Sequence, residues 1–77
     1  MPLVQILGPG CPKCQMLYDH VQKAAAKLGV ECTIEKITDM ATIVNFGVLS
    51  TPALVIDGEV KVSGRVPSAS QIEELLT

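Results

Sequence analysis

Leu3-Val4-Gln5-Ile6-Leu7 runs into Gly8-Pro9-Gly10, and Cys11-Pro12-Lys13-Cys14 follows at once. A brief, mostly apolar run closed by chain breakers suits a β-strand buried on both faces. Pro12 falls where a helix accepts proline, in its first turn. Leu17, Val21, Ala24, Ala25 and Leu28 then recur at i, i+4, i+7, i+8 and i+11, an apolar stripe of helical period that Gly29 ends. The pattern therefore puts a C-x-x-C at the junction of a buried strand and a long helix.

Downstream, Val30, Cys32 and Ile34 alternate with Glu31, Thr33 and Glu35, the period-2 pattern of a strand with one wet face at a sheet edge. Asp39 can cap a second helix that continues through Phe46 and stops at Gly47. Thr51-Pro52 interrupts the chain before Ala53-Leu54-Val55-Ile56. Asp57-Gly58 separates that run from Glu59-Val60-Lys61-Val62, a hairpin signal because the turn needs positive φ. Gly64 ends the hairpin. Ser68 with Gln71 forms a capping box for a last helix that carries Ile72, Leu75 and Leu76.

The order is thus β-α-β-α-β-β-α, and the fold class is α/β. A helical crossover makes the first two strands parallel, and the hairpin makes the last two antiparallel. A four-stranded mixed sheet with helices on both faces is expected, forming one domain over residues 1–77.

Composition narrows the function. Seventy-seven residues, 48% hydrophobic and 18% charged, leave no room for a second core. Six basic against eight acidic residues give a net charge of −2, with no cluster of Lys or Arg, and there is no Trp, one Tyr and one Phe. Neither a phosphate-binding surface nor a base-stacking platform is present, so nucleic acid is not expected as a partner. Leu3–Leu7 is too short for a signal or a membrane span. A soluble cytoplasmic monomer is expected.

Three cysteines are an odd number and too few for a disulfide framework. At the helix start Cys11 meets free backbone N–H groups and the positive end of the macrodipole, which lower the pKa of a thiol. Cys14 lies one turn further in, more buried and less ionised. Cys11 therefore reads as a nucleophile, and Cys14 as the resolving thiol that closes a four-residue ring. Pro12 stiffens the turn and Lys13 adds positive potential, so both modulate the site. No cofactor beyond the Cys11-Cys14 disulfide is needed.

A zinc site usually has four ligands, and only His20 and Cys32 could join the pair. His20 is expected to face solvent and Cys32 to be a buried, inert thiol, so no metal ligands are assigned. Arg65 and Lys61 read as scattered surface charges, Tyr18 as packing beside Leu17 and Val21, and Met16 as a surface methionine. Gly8 and Gly10 follow no phosphate-loop pattern and read as flexible access to the sulfur.

The C-x-x-C after the first strand, Thr51-Pro52 before the third, the Asp57-Gly58 hairpin, Gly64 and the closing helix together resemble the thioredoxin and glutaredoxin superfamily. The very small prokaryotic thioredoxin-like redox-active disulfide proteins are most similar in length. The resemblance implies a cis bond at Pro52 beside the C-x-x-C. It also implies a docking strand, with Thr51, Pro52 and Gly64, for an extended partner polypeptide. Thiol-disulfide oxidoreductase activity on protein or small-molecule disulfides follows, with electrons supplied by a reductase or dithiol donor.

The chain departs from that pattern in places. Gly10 stands where thioredoxins usually carry Trp, and Pro12-Lys13 where they carry Gly-Pro. Gln5 replaces the acidic residue six positions before the first cysteine, which leaves water, Lys13 or the substrate thiolate to move the proton at the resolving thiol. Ser63-Gly64-Arg65-Val66-Pro67-Ser68 lacks the stretch with which glutaredoxins grip glutathione. The competing reading is a soft-metal carrier similar to the small copper chaperones, in which Cys11 and Cys14 hold Cu(I). Those domains end in a strand, whereas the Ser68–Leu76 segment reads as a helix.

Overall fold

The computed structural model describes residues 2–10 and 12–77. Its elements are β1 (Leu3–Leu7), α1 (Pro12–Leu28), β2 (Thr33–Ile37), α2 (Met40–Asn45), β3 (Ala53–Ile56), β4 (Glu59–Ser63) and α3 (Ala69–Leu76). One four-stranded sheet has the order β2-β1-β3-β4. β1 pairs parallel with β2 and antiparallel with β3, and β3 pairs antiparallel with β4. The strand that leads to the C-x-x-C is thus interior, which fits its apolar character.

The two faces of the sheet carry separate cores. Val4, Ile6, Leu54, Ile56 and Val62 pack with Leu17, Val21 and Ala24 of α1 and Ile72 of α3. On the opposite face Leu7, Ala53 and Val55 meet Ile43 of α2. Val4 and Ile6 of β1 face one core and Leu7 the other, as the pleat requires, and burying each large aliphatic side chain contributes about 1.5–3 kcal/mol. The α/β class, the mixed sheet and helices on both faces are as expected from the sequence.

Local signals act where they were read. Asp57 (φ 50°) and Gly58 (φ 86°) both take positive φ, the geometry of a two-residue hairpin turn. Asp57 also ties that turn to β1: its Oδ1 accepts from the Leu3 N–H at 2.9 Å, and its own N–H donates to the Leu3 carbonyl at 2.9 Å. Asp39 caps α2, with its carboxylate accepting from the Thr42 hydroxyl and N–H; these bonds hold its pKa below the ordinary 3.8.

Ser68 and Gln71 close the capping box on α3. Ser68→Ala is expected to cost about 1 kcal/mol of stability, read as a lower urea midpoint at unchanged slope.

One boundary differs from expectation. β2 begins at Thr33, not Val30, because Gly29 (φ 68°) turns the chain and the Val30 N–H folds back onto the Ala25 carbonyl at 3.1 Å. The ladder starts only where the Thr33 N–H reaches the Pro2 carbonyl at 3.0 Å. Cys32 therefore precedes the strand. On β4 the register shifts between Leu54–Val62 and Val55–Val60, so Lys61 is an extra residue. This bulge sends Val62 to the core and leaves Val60 exposed, and it blunts an edge strand that could otherwise pair with another chain.

Candidate active site

The end of β1 organises the site. The Gly8 N–H donates to the Ile37 carbonyl at 2.9 Å and pins the chain to β2 just before it leaves the sheet. Gly8 is buried. A Cβ built on it would overlap the Cys14 sulfur, stand 3.2 Å from the Cys14 Cβ and lie 4.0 Å from the Thr51 Cβ. Gly8 is therefore the floor on which the Cys14 sulfur rests, with Thr51 alongside. The expected reason for this glycine, flexible access, is corrected to close approach.

Cys14 sits in the first turn of α1, only 7% exposed, and is disulfide-bonded. Its burial follows from helical spacing, since Cys14, Leu17 and Val21 share the inward face of α1. Pro12 and Lys13 are exposed at the start of that helix. Cys11 lies outside the described residues.

The Thr51-Pro52 bond is cis, and Pro52 is fully buried with Thr51 half-buried beside it. This segment is clipped to the end of β4. The Gly64 N–H donates to the Pro52 carbonyl at 2.9 Å, and the Ser63 hydroxyl to the Ser50 carbonyl at 3.3 Å. Gly64 takes φ 81°, a conformation that favours glycine, and a Cβ there would stand 3.0 Å from the Ser50 Cβ, a tight fit. Cys14, Thr51, Pro52 and Gly64 thus belong to one connected region built from the ends of β1, β3 and β4.

Other residues lie apart from it or differ from their expected roles. Cys32 is a free thiol, half-buried rather than buried, with Sγ 3.9 Å from the Val30 carbonyl. His20 is half-buried rather than solvent-facing; its Nδ1 lies 2.9 Å from the Pro67 carbonyl because α3 packs against α1 and brings the preceding turn onto the ring. Met16 is exposed, Lys61 pairs with Glu59 on the surface, and Arg65 is exposed. Among the described residues no three His, Cys, Asp or Glu side chains gather as a metal site would need. Gln5 donates through Nε2 to the Glu35 carboxylate at 3.1 Å.

Sequence reading overlooked Lys36. A small cavity of about 60 Å³ beside Cys14 is lined by Gly8, Gly10, Gln15, Lys36 and Thr38. The overlooked signal was strand phase: Ile34 packs against the α1 core, and Lys36, two residues on, occupies the same phase.

A model of the thioredoxin domain family matches residues 3–77. A thioredoxin of Methanothermobacter thermautotrophicus is 40% identical over 77 residues, covering all of both chains. A thioredoxin of Methanocaldococcus jannaschii is 38% identical over 76 residues, covering 99% of this chain and 87% of its own. The solved structure of thioredoxin-2, described as a component of malaria parasite protein secretion machinery, superposes with a TM-score of 0.74. It covers 99% of this chain and 81% of its own at 16% identity, a likeness of fold alone.

The strand-to-helix junction, the cis proline segment and these relatives define a thiol-disulfide oxidoreductase. The chain belongs to the thioredoxin family. Thioredoxins in general need no cofactor, act on disulfides and are returned to the dithiol by a reductase. Among the described residues, no helix is long and apolar enough to cross a membrane.

Proposed function

We propose that the chain, acting as a single domain over residues 1–77, reduces disulfides of proteins or small molecules through Cys11 and Cys14. The Cys11 thiolate attacks a substrate sulfur, forms a mixed disulfide and releases the first substrate thiolate. The Cys14 thiolate then attacks the Cys11 sulfur; the intramolecular S–S bond forms, the mixed disulfide breaks, and the second substrate thiolate leaves with the electron pair. Thr51, Pro52 and Gly64 receive the extended substrate beside the sulfurs, and Pro12 and Lys13 shape the approach. A reductase or dithiol donor restores the pair, and the protein works as a cytoplasmic monomer.

The observation that carries this reading is Cys14, disulfide-bonded on the floor made by Gly8 beside Thr51, while Cys32 is a free thiol. The soft-metal carrier reading leaves the Thr51-Pro52 segment without a role.

Redox titration in metal-free buffer, followed by thiol trapping and mass spectrometry, tests the proposal. A reversible two-electron couple at about −200 to −280 mV is expected. A pair that resists oxidation and co-purifies with a thiophilic metal, released by substituting either cysteine, would transfer the assignment to the carrier.

A further inference from the structure

One cation beside the site has no engagement of its own. Arg65 follows Gly64, whose N–H holds the Pro52 carbonyl at 2.9 Å. After it, Val66 packs against the main core and Pro67 is buried, with its carbonyl 2.9 Å from His20 Nδ1. The backbone that carries Arg65 is therefore fixed on both sides. The residue is nonetheless exposed, and its side chain forms no hydrogen bond or ion pair among the described residues. Lys61, the next cation along β4, is instead committed to the Glu59 carboxylate at 2.7 Å. A guanidinium without an internal partner loses no contact when it meets a ligand carboxylate, and its planar fork suits one.

Arg65 also stands where the docking segment opens into a groove. About 390 Å³ of space lies between Lys61, Val62 and Arg65 at the end of β4 and Gln71, Glu74 and Leu75 of α3. Gly64 is exposed and has no side chain to close the way from Thr51 and Pro52 into that space. Buried Val62 and half-buried Leu75 give the groove an apolar lining. Its walls differ in charge, with Arg65 beside the docking segment and Glu74 on α3. An extended chain that passes Gly64 therefore meets the cation first.

We propose that Arg65 is a specificity residue that selects polypeptide disulfides with acidic side chains next to the reacting cystine, and that the groove between β4 and α3 receives this acidic flank. The proposal rests on the reading that Cys11 and Cys14 reduce disulfides received by Thr51, Pro52 and Gly64. The covalent steps are unchanged, and Arg65 acts on docking through a charge pair at the rim. The chain as a whole carries a net charge of −2, so this preference is local and opposes the overall field. Lys13, exposed at the helix start, attracts anions on either flank alike, whereas Arg65 favours the flank that enters the groove.

The test uses the full reduced chain in a Cys32→Ser background. The probes are peptides whose single cysteine is joined to thionitrobenzoate, with three Glu, three Gln or three Lys residues on its N-terminal or its C-terminal side. Thionitrobenzoate release gives the rate constant for attack by Cys11. On one flank the Glu peptide is expected to react about two- to fivefold faster than the Gln peptide, the range an exposed charge pair supplies, and the Lys peptide more slowly than either. Arg65→Gln is expected to bring the three together, Arg65→Glu to reverse their order and Arg65→Lys to keep it. Glu74→Gln is expected to speed the Glu peptide further, and all these differences should shrink in high salt.

Equal rates for the Glu, Gln and Lys peptides on both flanks would overturn the proposal. So would a Glu preference that survives Arg65→Gln and disappears in Lys13→Gln, by assigning it to the helix start. A Glu peptide indifferent to Glu74→Gln would place the flank outside the groove and overturn that assignment. Release that is lost in Cys11→Ser shows that the underlying reading stands in each case; failure of every peptide to release thionitrobenzoate with the Cys11-containing protein would overturn that reading instead.

Discussion

Cys11→Ser is expected to abolish disulfide reduction, whereas Cys14→Ser is expected to complete the first attack and stop with the substrate held as a mixed disulfide. The asymmetry follows from position in the first helical turn. In sequence Cys11 directly precedes Pro12, the first residue of α1, and the start of a helix is a position at which backbone N–H groups and the macrodipole favour an anion. Cys14 is buried against Gly8 and reaches only a sulfur delivered to it. Serine at Cys11 leaves no competent nucleophile for a disulfide.

Serine at Cys14 removes an intramolecular nucleophile whose effective concentration reaches on the order of 10⁵ M in well-oriented systems. Millimolar external thiol cannot replace it, so multiple turnover should fall at least about a hundredfold. Mass spectrometry of the acid-quenched reaction, with a model disulfide of known mass, checks both outcomes. Adducts of equal yield on the two variants would remove the assignment of distinct roles.

The features that were legible beforehand are those whose physics is local. Asp57-Gly58 specifies its own turn because both residues must take positive φ, and Ser68 with Gln71 specifies its own cap. The C-x-x-C was legible for the same reason: a strand, three breakers and a proline announce the start of α1 within ten residues or so. Contacts between distant segments were not legible. The start of β2 depends on the Thr33 N–H finding the Pro2 carbonyl, and no alternation of side chains records that bond. His20 was read from its place on one helix, but its environment is set by Pro67, 47 residues away.

Lys36 shows a subtler limit. Its phase follows Ile34, so its face could have been read had the strand been extended past Glu35. Its anchor on Tyr18 and Gln15 could not, because that depends on where α1 crosses β2. The proline segment divides in the same way. Thr51-Pro52 was visible as an interruption before β3, while its nearness to Gly8 and its clip to Gly64 come from the order β1-β3-β4 in the sheet.

Gly8→Ala is expected to lower the stability of the oxidised protein by roughly 2–3 kcal/mol, within the usual cost of overpacking. For a chain of this size that is a fall in Tm of about 10 °C or more. Disulfide reduction should slow at least about tenfold, since a displacement near 1 Å in a site can cost about a hundredfold. Gly8 is not among the positive-φ glycines, so its backbone would accept alanine; the obstacle is the Cys14 sulfur that the new methyl would overlap.

Neither partner can yield cheaply. The Gly8 N–H is committed to the Ile37 carbonyl, and Cys14 rides on α1, whose Leu17 and Val21 are locked in the main core. Gly29→Ala is the matched control: it adds the same methyl in open space at φ 68°, so it carries backbone strain of about 1–2 kcal/mol but leaves turnover unchanged. Thermal unfolding of both variants, with insulin-disulfide reduction as the activity readout, separates the two costs. Wild-type turnover in Gly8→Ala would mean that the Cys14 sulfur has room to move, and that Gly8 is not the floor of the site.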